Sequence, residues 1–161
     1  MAYNPKPINE ENLRKGHDFE RFVVSRFPHE QFELIEWRSD KCIDGIYPTA
    51  SKNPDLLFSF KASNYLFAVE CKWRNHSEKK LIKWLAGNHL ENYKRYFLKT
   101  HIKTFIVYGL GGTPDNPHLI YLLSLDQIER RPFLSYEEAM QFVRADTSSL
   151  FRFNPEQKIL I

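Results

Sequence analysis

Polar and apolar positions alternate with the period of a β-strand at residues 31–37, where Phe32 and Leu34 lie on one predicted face and Ile35 and Trp37 on the other. Two more segments rich in aromatic and branched residues, 55–60 and 65–73, flank four residues of loop composition. The pattern therefore predicts one strand followed by a two-stranded hairpin.

The region before these strands has the features of a helix. Asn9 can cap its start and is followed by two glutamates, and Pro28 should end it near Phe27. Val23 and Phe27 lie three and seven residues after Glu20, so Glu20 falls on or beside the apolar stripe. A carboxylate there needs a physical reason, because burial of an unpaired charge is costly.

Two neighbours of Glu20 bear on its role. Gly16, one turn earlier, would allow a ligand or another backbone to approach closely. His17 could join a metal site, although a polar helix position is the ordinary interpretation of such a histidine. For Glu20 itself, the alternative is a boundary glutamate paired with Arg21 or a strand lysine.

Two helices are predicted after the hairpin. Ser77 can cap the first, at 78–86, and Asn88 with Glu91 resembles a capping box for the second, which should end near Leu98.

Apolar runs at 104–108 and 119–125 predict two buried strands, the first of them central and parallel to a neighbour. The Gly/Pro stretch between them, 109–117, lacks the spacing of a nucleotide-binding loop and is predicted to be a turn. Ser135 can begin a helix that reaches Val143, and the apolar residues near the C-terminus should pack on the body of the protein.

The predicted hairpin brings charged residues together at one end. If Phe60 pairs with Tyr65, Asp55 lies opposite Glu70 with Cβ atoms roughly 5 Å apart, and alternation places Lys72 on the same face. Two carboxylates so placed repel each other unless a cation lies between them, and oxygen ligands suit Mg²⁺ or Mn²⁺. The alternative is a surface salt bridge of Lys72 with one carboxylate.

Composition places the chain among globular proteins. The 161 residues are 42% hydrophobic and 27% charged, and no apolar run is long enough to span a membrane. The N-terminal residues lack the apolar core of a signal peptide, and Cys42 and Cys71 provide no disulfide framework. We expect a cytoplasmic protein with one domain over residues 1–161, of which 126–161 form a C-terminal helix and tail.

Positive charge is concentrated just after the two carboxylates. The net charge is only +3, but residues 72–103 contain nine Lys or Arg against two Glu. Basic side chains beside a metal site suit a polyanion, because phosphate contacts supply most of the non-specific affinity for nucleic acid; a solvated helix face is the alternative. The candidate DNA-binding residues are Arg74, Lys79, Lys80, Lys83, Lys94 and Arg95.

The motifs and the order of elements resemble the PD-(D/E)XK nuclease superfamily. Pro54-Asp55 matches the "PD" and Glu70-Cys71-Lys72 matches the "E-x-K", while Gly-His-Asp-Phe-Glu at 16–20 resembles the first-helix motif of Holliday-junction-resolvase-like and Mrr-like members. The resemblance covers roughly residues 10–125. It implies a restriction-endonuclease-like α/β fold with a mixed central sheet flanked by helices and the core order αβββαβ.

The resemblance also implies a metal-dependent DNA endonuclease, with the catalytic residues Glu20, Asp55, Glu70 and Lys72. Asp55 and Glu70 would bind Mg²⁺, or Mn²⁺, with the backbone carbonyl of Cys71 as a further ligand, and Glu20 would contribute directly or through a water. Lys72 would position or deprotonate the attacking water and help offset charge in the transition state. The products would carry 5′-phosphate and 3′-hydroxyl ends.

Two features depart from the family pattern. An Mrr-like glutamine is not evident in the helix after the motif, where Tyr93, Lys94 and Tyr96 are the candidates to face the site. The spacing between "PD" and "E-x-K" is longer than in compact resolvases, so specificity for junctions does not follow.

Two classes of function remain. A metal-dependent endonuclease accounts for the four charged residues of the motifs together with the basic segment beside them. A catalytically silent module that binds nucleic acid or a partner would keep the fold but would not cleave DNA. Restriction-type cleavage, junction resolution and repair are open within the first class. Cutting both strands usually requires two active sites, so a homodimer is expected, with loops 38–53 and 109–117 as candidates for substrate contacts.

Overall fold

The structure is a computed structural model that describes residues 9–38, 52–76, 81–144 and 146–161. Its elements, in chain order, are α1 (Glu10–Ser25), β1 (Phe32–Trp37), β2 (Leu56–Phe60), β3 (Tyr65–Arg74), β4 (Leu81–Lys83), α2 (His89–Thr100), β5 (Lys103–Leu110), β6 (Leu119–Ser124), α3 (Leu125–Arg130), β7 (Phe133–Ser135), α4 (Tyr136–Ala139), a 3₁₀ turn (Met140–Phe142), β8 (Phe153–Asn154) and β9 (Ile159–Leu160).

A five-stranded mixed sheet lies at the centre of the fold, in the spatial order β1-β2-β3-β5-β6. The first three strands are antiparallel, β5 runs parallel to β3, and β6 runs antiparallel to β5. α2 lies in the connection from β3 to β5, because parallel neighbours need a crossover between opposite ends of the sheet. The predicted fold class and core order are confirmed, with the short strand β4 inserted before α2.

The register of the β2–β3 hairpin is the predicted one. Phe60 pairs with Tyr65, and at the other end of the ladder Leu56 pairs with Val69. The next residues outward are Asp55 and Glu70, so they face each other at the open end of the hairpin.

Two apolar layers cover the two faces of the sheet. α1 packs on one face through Phe19 and Val23, while α2, α3 and β4 contribute to the layer on the other face. Because side chains alternate along β3, Cys71 faces the α1 layer, whereas Glu70 and Lys72 face the α2 layer.

A β-bulge in β1 changes the face predicted for Trp37. The pairing with β2 shifts between Leu34 and Glu36, which leaves Ile35 as an extra residue that is 45% exposed. Strict alternation predicted Trp37 on the face opposite to Leu34; instead, both pack against the α1 layer. The bulge therefore turns the Trp37 indole toward α1.

The two long helices begin close to the predicted residues. Asn9 caps α1 by accepting a hydrogen bond of 3.2 Å from the backbone N–H of Asn12, and the helix ends at Ser25. The Asn88 side chain makes no capping hydrogen bond at the start of α2, so the predicted capping box with Glu91 is wrong.

The predicted helix at 78–86 is wrong where the structure describes it. Leu81–Lys83 form β4 and pair with β7, about fifty residues later in the chain, which a local sequence pattern cannot show. Ile82 is fully buried in this pairing. Residues 77–80 with the predicted cap, and most of the predicted contact loop at 38–53, lie outside the described residues.

The segment after β6 contains elements that the hydrophobic pattern did not predict. The predicted strand 119–125 ends at Ser124, because this side chain caps α3 in a capping box with Gln127. Ser135 caps α4 as predicted, but the α-helix ends at Ala139 and continues only as the 3₁₀ turn.

The C-terminal residues pack against the α1 layer, as predicted. Phe151 is fully buried, and Phe153 of β8 stacks on Phe67 of β3 with ring centroids 5.4 Å apart. No helix within the described ranges is long and apolar enough to cross a membrane.

Candidate active site at the open end of the hairpin

Two buried carboxylates and one amine lie together at the open end of the hairpin. Asp55 is 8% exposed and Glu70 is 1% exposed. The Lys72 ammonium forms an ion pair with Oε1 of Glu70. Such a group contributes nothing to apolar packing, and its desolvation is costly.

The neighbouring strand holds the Asp55 carboxylate in place. Its Oδ2 accepts a hydrogen bond of 2.8 Å from the backbone N–H of Cys71. This N–H is available because the β2–β3 ladder ends at the pair of Leu56 and Val69. Beyond the last backbone pair of the ladder, a hydrogen bond to the Asp55 side chain thus takes the place of the next backbone hydrogen bond.

Burial and like charge together disfavour the ionised form of Asp55. Desolvation raises its pKa well above the ordinary value, and the nearby Glu70 raises it further, against the opposing effect of Lys72. For Lys72, desolvation by itself lowers the pKa, but the charges of Glu70 and Asp55 outweigh it and raise the pKa above the ordinary lysine value. Lys72 is therefore a cation at neutral pH, opposite a carboxyl that resists ionisation.

One oxygen of the site is left without a partner. Oε1 of Glu70 contacts Lys72, but Oε2 is buried and has no hydrogen-bond partner in the described structure. Buried acceptors are nearly always satisfied, so an orphaned carboxylate oxygen marks a place where a bound group fits. An oxygen-preferring divalent cation is such a group.

Glu20 approaches the site from the α1 layer. Its Oε2 accepts a hydrogen bond from the Trp37 indole N–H and lies 3.7 Å from Nδ1 of His17. The His17 ring in turn lies against the Trp37 ring, with centroids 5.1 Å apart. The Glu20 charge contributes to the raised pKa of Asp55, although less than burial and Glu70 do.

A glycine in β5 allows α1 to come this close to the sheet. A Cβ on Gly109 would lie 2.6 Å from Cε2 of Phe19, a distance that real contacts do not reach. Phe19 immediately precedes Glu20, so the packing of its ring over Gly109 sets the position of Glu20. The predicted turn at 109–117 accordingly begins only after β5 ends at Leu110.

The described residues do not form a three-acid metal centre. Within these ranges no group of three or more His, Cys, Asp or Glu side chains is arranged to hold a metal ion. The structure pairs Asp55 with Glu70 and leaves Glu20 hydrogen-bonded to Trp37 in the wall of the site. The Cys71 thiol is buried on the α1 side, and burial first of all raises its pKa well above the ordinary value.

The site opens into a groove of about 850 Å³ between the start of α1 and the end of β3. Asp55 and Lys72 line the groove together with Arg14 and Lys15 of α1 and Arg74 of β3. Arg14 and Lys15 were not predicted from the sequence, where their only signal is their position immediately before the motif at 16–20. Asp55, Glu20 and Lys72 thus share one groove with three further basic side chains.

The candidate DNA-binding residues differ in their relation to this groove. Arg74 lines it, and Arg95 is exposed on α2. Lys79 and Lys80 lie outside the described residues.

Two of the candidate lysines already have partners. Lys94 of α2 forms ion pairs with Glu129 of α3 at 2.8 Å and with Glu91 at 3.6 Å. The ammonium of Lys83 lies 5.4 Å from the centroid of the Phe133 ring. Intramolecular contacts therefore occupy part of the basic segment.

Trp37 and Arg38 are neighbours of the site that were not predicted from the sequence. The bulge that turns Trp37 toward Glu20 has no sequence signature, and Arg38 is distinguished only by its position just after β1. Tyr96, one of the three candidates on α2, contacts Arg38 through a hydroxyl 3.4 Å from Nη2.

The structure is similar to that of Hjc, a Holliday junction resolvase from the archaeal hyperthermophile Archaeoglobus fulgidus. The TM-score is 0.54 and the sequence identity 15%, over 78% of this chain and 93% of the resolvase chain. No family model and no curated protein sequence matches this chain. The similarity establishes a resolvase-like, restriction-endonuclease-like fold.

We predict that Asp55→Asn flattens the pH dependence of stability in the metal-free protein. Because the pKa of Asp55 is raised on folding, the folded protein holds a proton that the unfolded chain releases once the pH passes about 4. The free energy of unfolding should therefore fall as the pH rises toward the folded pKa, and the asparagine variant should lose this component. Lys72 does not contribute to this pH dependence, since it stays protonated in both the folded and the unfolded protein below about pH 10.

Urea unfolding in EDTA across the range from about pH 4 to about pH 8 measures this effect. Asp115→Asn is the matched control, because Asp115 is exposed in the turn between β5 and β6. Parallel profiles for wild type and Asp55→Asn would contradict a buried carboxyl of raised pKa.

Proposed function

We propose that the protein is a metal-dependent DNA endonuclease. The observation that carries this proposal is the pair of buried carboxylates, Asp55 and Glu70, with the Lys72 ammonium beside them and Oε2 of Glu70 left without a partner. The similarity in fold to a Holliday junction resolvase supports it, since a resolvase is a nuclease.

Asp55 and Glu70 would hold Mg²⁺ or Mn²⁺, with the Cys71 carbonyl as a further ligand and Glu20 acting directly or through a water. The donor set is made of oxygens, which is the preference of these cations. When bound, the cation supplies Lewis-acid chemistry for hydrolysis of a phosphodiester and relieves the repulsion between the carboxylates.

Lys72 has the properties of a group that offsets negative charge. Its raised pKa keeps it protonated at neutral pH, so the ammonium can donate to the oxygen on which charge develops during hydrolysis. The ion pair with Glu70 keeps the ammonium in place, and the Trp37 indole N–H orients Glu20. The reaction would leave 5′-phosphate and 3′-hydroxyl ends.

The groove provides a place for the DNA backbone. Arg14 and Arg74 line the same groove as Asp55 and can neutralise phosphates near the bond to be cleaved. Gly16 lies in the same wall, and a Cβ there would meet nothing within 4 Å, so the helix surface is recessed at that point. Cleavage of both strands would require two such sites, and a homodimer is part of this proposal.

Cleavage of DNA by the purified protein tests the proposal. Linear duplex, supercoiled plasmid, four-way junction, flap and single-stranded DNA should be offered with Mg²⁺, with Mn²⁺ and with EDTA. We expect cutting of at least one substrate with metal and none with EDTA. Asp55→Asn, Glu70→Gln and Lys72→Ala should each reduce the rate by about 100-fold or more. The first two variants lose a carboxylate that would hold the cation, and the third loses the ammonium that offsets charge on the reacting phosphate.

Lys61→Ala is the matched control for Lys72→Ala. Lys61 lies in the turn at the opposite end of the same hairpin, where its ammonium donates to the carbonyl of His29, and its removal should leave the cleavage rate unchanged. If every substrate stays intact with either metal and the protein also binds no Mn²⁺, a catalytically silent binding module is the correct interpretation.

We further predict that the double variant Arg14→Ala/Arg74→Ala binds DNA more weakly and with a lower dependence on salt. Each phosphate that an arginine no longer neutralises should lower the slope of log K against log salt by about one. Fluorescence anisotropy of a labelled duplex in EDTA measures both quantities without cleavage. The exposed arginines Arg130 and Arg152 provide the matched double control, and equal slopes in the two double variants would rule out the groove as the docking surface.

A further inference from the structure

One arginine holds both carbonyls of the segment that carries Asp55. The backbone N–H of Arg38 donates to the Asp55 carbonyl at 2.7 Å, and Nη1 of its guanidinium donates to the Pro54 carbonyl at 2.8 Å. The Arg38 side chain is 11% exposed, so the guanidinium is largely withdrawn from water at this point. The peptide unit that begins β2 is thus fixed from the β1 side by a single residue.

The other contacts of the guanidinium hold it in a fixed orientation. Nε donates to Oε2 of Glu36 at 2.8 Å, and Nη2 lies 3.4 Å from the Tyr96 hydroxyl. The guanidinium carbon lies 5.4 Å from the centroid of the buried Tyr96 ring on α2. Arg38 therefore connects β1, the start of β2 and α2, and the planar fork of arginine suits these separate acceptors better than the single ammonium of lysine.

The position of this arginine relates it to the carboxylate. Asp55 is one residue outside the β2–β3 ladder, and on the hairpin side the Cys71 N–H holds its side chain. Arg38 holds its main chain from the opposite side. Without either of these hydrogen bonds, the carboxylate would be free to rotate away from Glu70.

We propose that Arg38 is a positioning residue, which fixes the Pro54–Asp55 backbone so that the Asp55 carboxylate stays directed at the cation shared with Glu70. The inference rests on the proposed function, because it concerns the same metal site. Partners that orient metal ligands typically change metal affinity by about 10-fold to 100-fold when they are removed. If Arg38 only connected the strands, its replacement would lower the stability of the protein but would leave the metal affinity unchanged.

Mn²⁺ titration by calorimetry, without DNA, separates these roles. We expect Arg38→Ala to weaken Mn²⁺ binding by about 10-fold or more. Arg38→Lys keeps the charge and the aliphatic stem but lacks the fork, so it should also bind Mn²⁺ more weakly than wild type, and it replaces the alanine variant if that variant does not fold. Arg152→Ala, at an exposed arginine remote from the hairpin's open end, should bind Mn²⁺ like wild type.

A destabilised variant far from the site provides the second control. Phe153 packs on Tyr65 at the closed end of the hairpin, so Phe153→Ala should lower the melting temperature and leave Mn²⁺ affinity unchanged. Wild-type affinity in Arg38→Lys or Arg38→Ala, or an equal decrease in Phe153→Ala, would overturn the role of Arg38. Absence of Mn²⁺ binding in the wild type would overturn the metal site itself, and the two failures are therefore distinguishable.

Discussion

The burial of two carboxylates at one end of a β-hairpin is the interaction on which the rest of the site depends. Withdrawing each charge from water costs several kcal/mol even after relaxation. The Cys71 N–H and the Lys72 ammonium offset part of this cost, but Oε2 of Glu70 keeps no partner in the described structure. The surrounding sheet therefore holds Asp55 and Glu70 in an electrostatic arrangement that they would not adopt by themselves.

The stability needed to hold this arrangement comes from the apolar layers. Phe67 of β3 is fully buried among Phe58, Phe105 and Phe153, on the face of the hairpin opposite to the carboxylates. The strand thus carries core side chains on one face and the site on the other. Such a division is typical of proteins in which a strained polar site is supported by packing elsewhere.

Parts of the fold that follow from local rules could be predicted from the sequence. A four-residue connection fixed the register of the hairpin, and this register in turn placed Asp55 opposite Glu70. The bulge that turns Trp37 toward Glu20 could not be foreseen, because strict alternation of residues 32–37 gives no sign of an extra residue. Pairing between distant segments is also absent from a local pattern. β4 depends on a partner strand about fifty residues later in the chain, and its residues were therefore predicted to be a helix.

The candidate site shows the same division between local and non-local information. The position of Lys72 beside Glu70 follows from alternation along one strand. The contacts of Arg38, by contrast, depend on the folded arrangement of β1, β2 and α2, which brings the Pro54 carbonyl and the Tyr96 hydroxyl to its guanidinium. The basic segment is a further case: the charges of Lys94 and Glu129 are both visible in the sequence, but their ion pair is visible only in the fold.

Asp55 and Glu70 are proposed to share one divalent cation, and anomalous diffraction from crystals soaked in Mn²⁺ tests this most directly. We expect a single strong peak between the two carboxylates, roughly 2 Å from their oxygens, with Oε2 of Glu70 among the ligands. A peak at another place, or no peak while the Lys72–Glu70 ion pair persists, would contradict the claim.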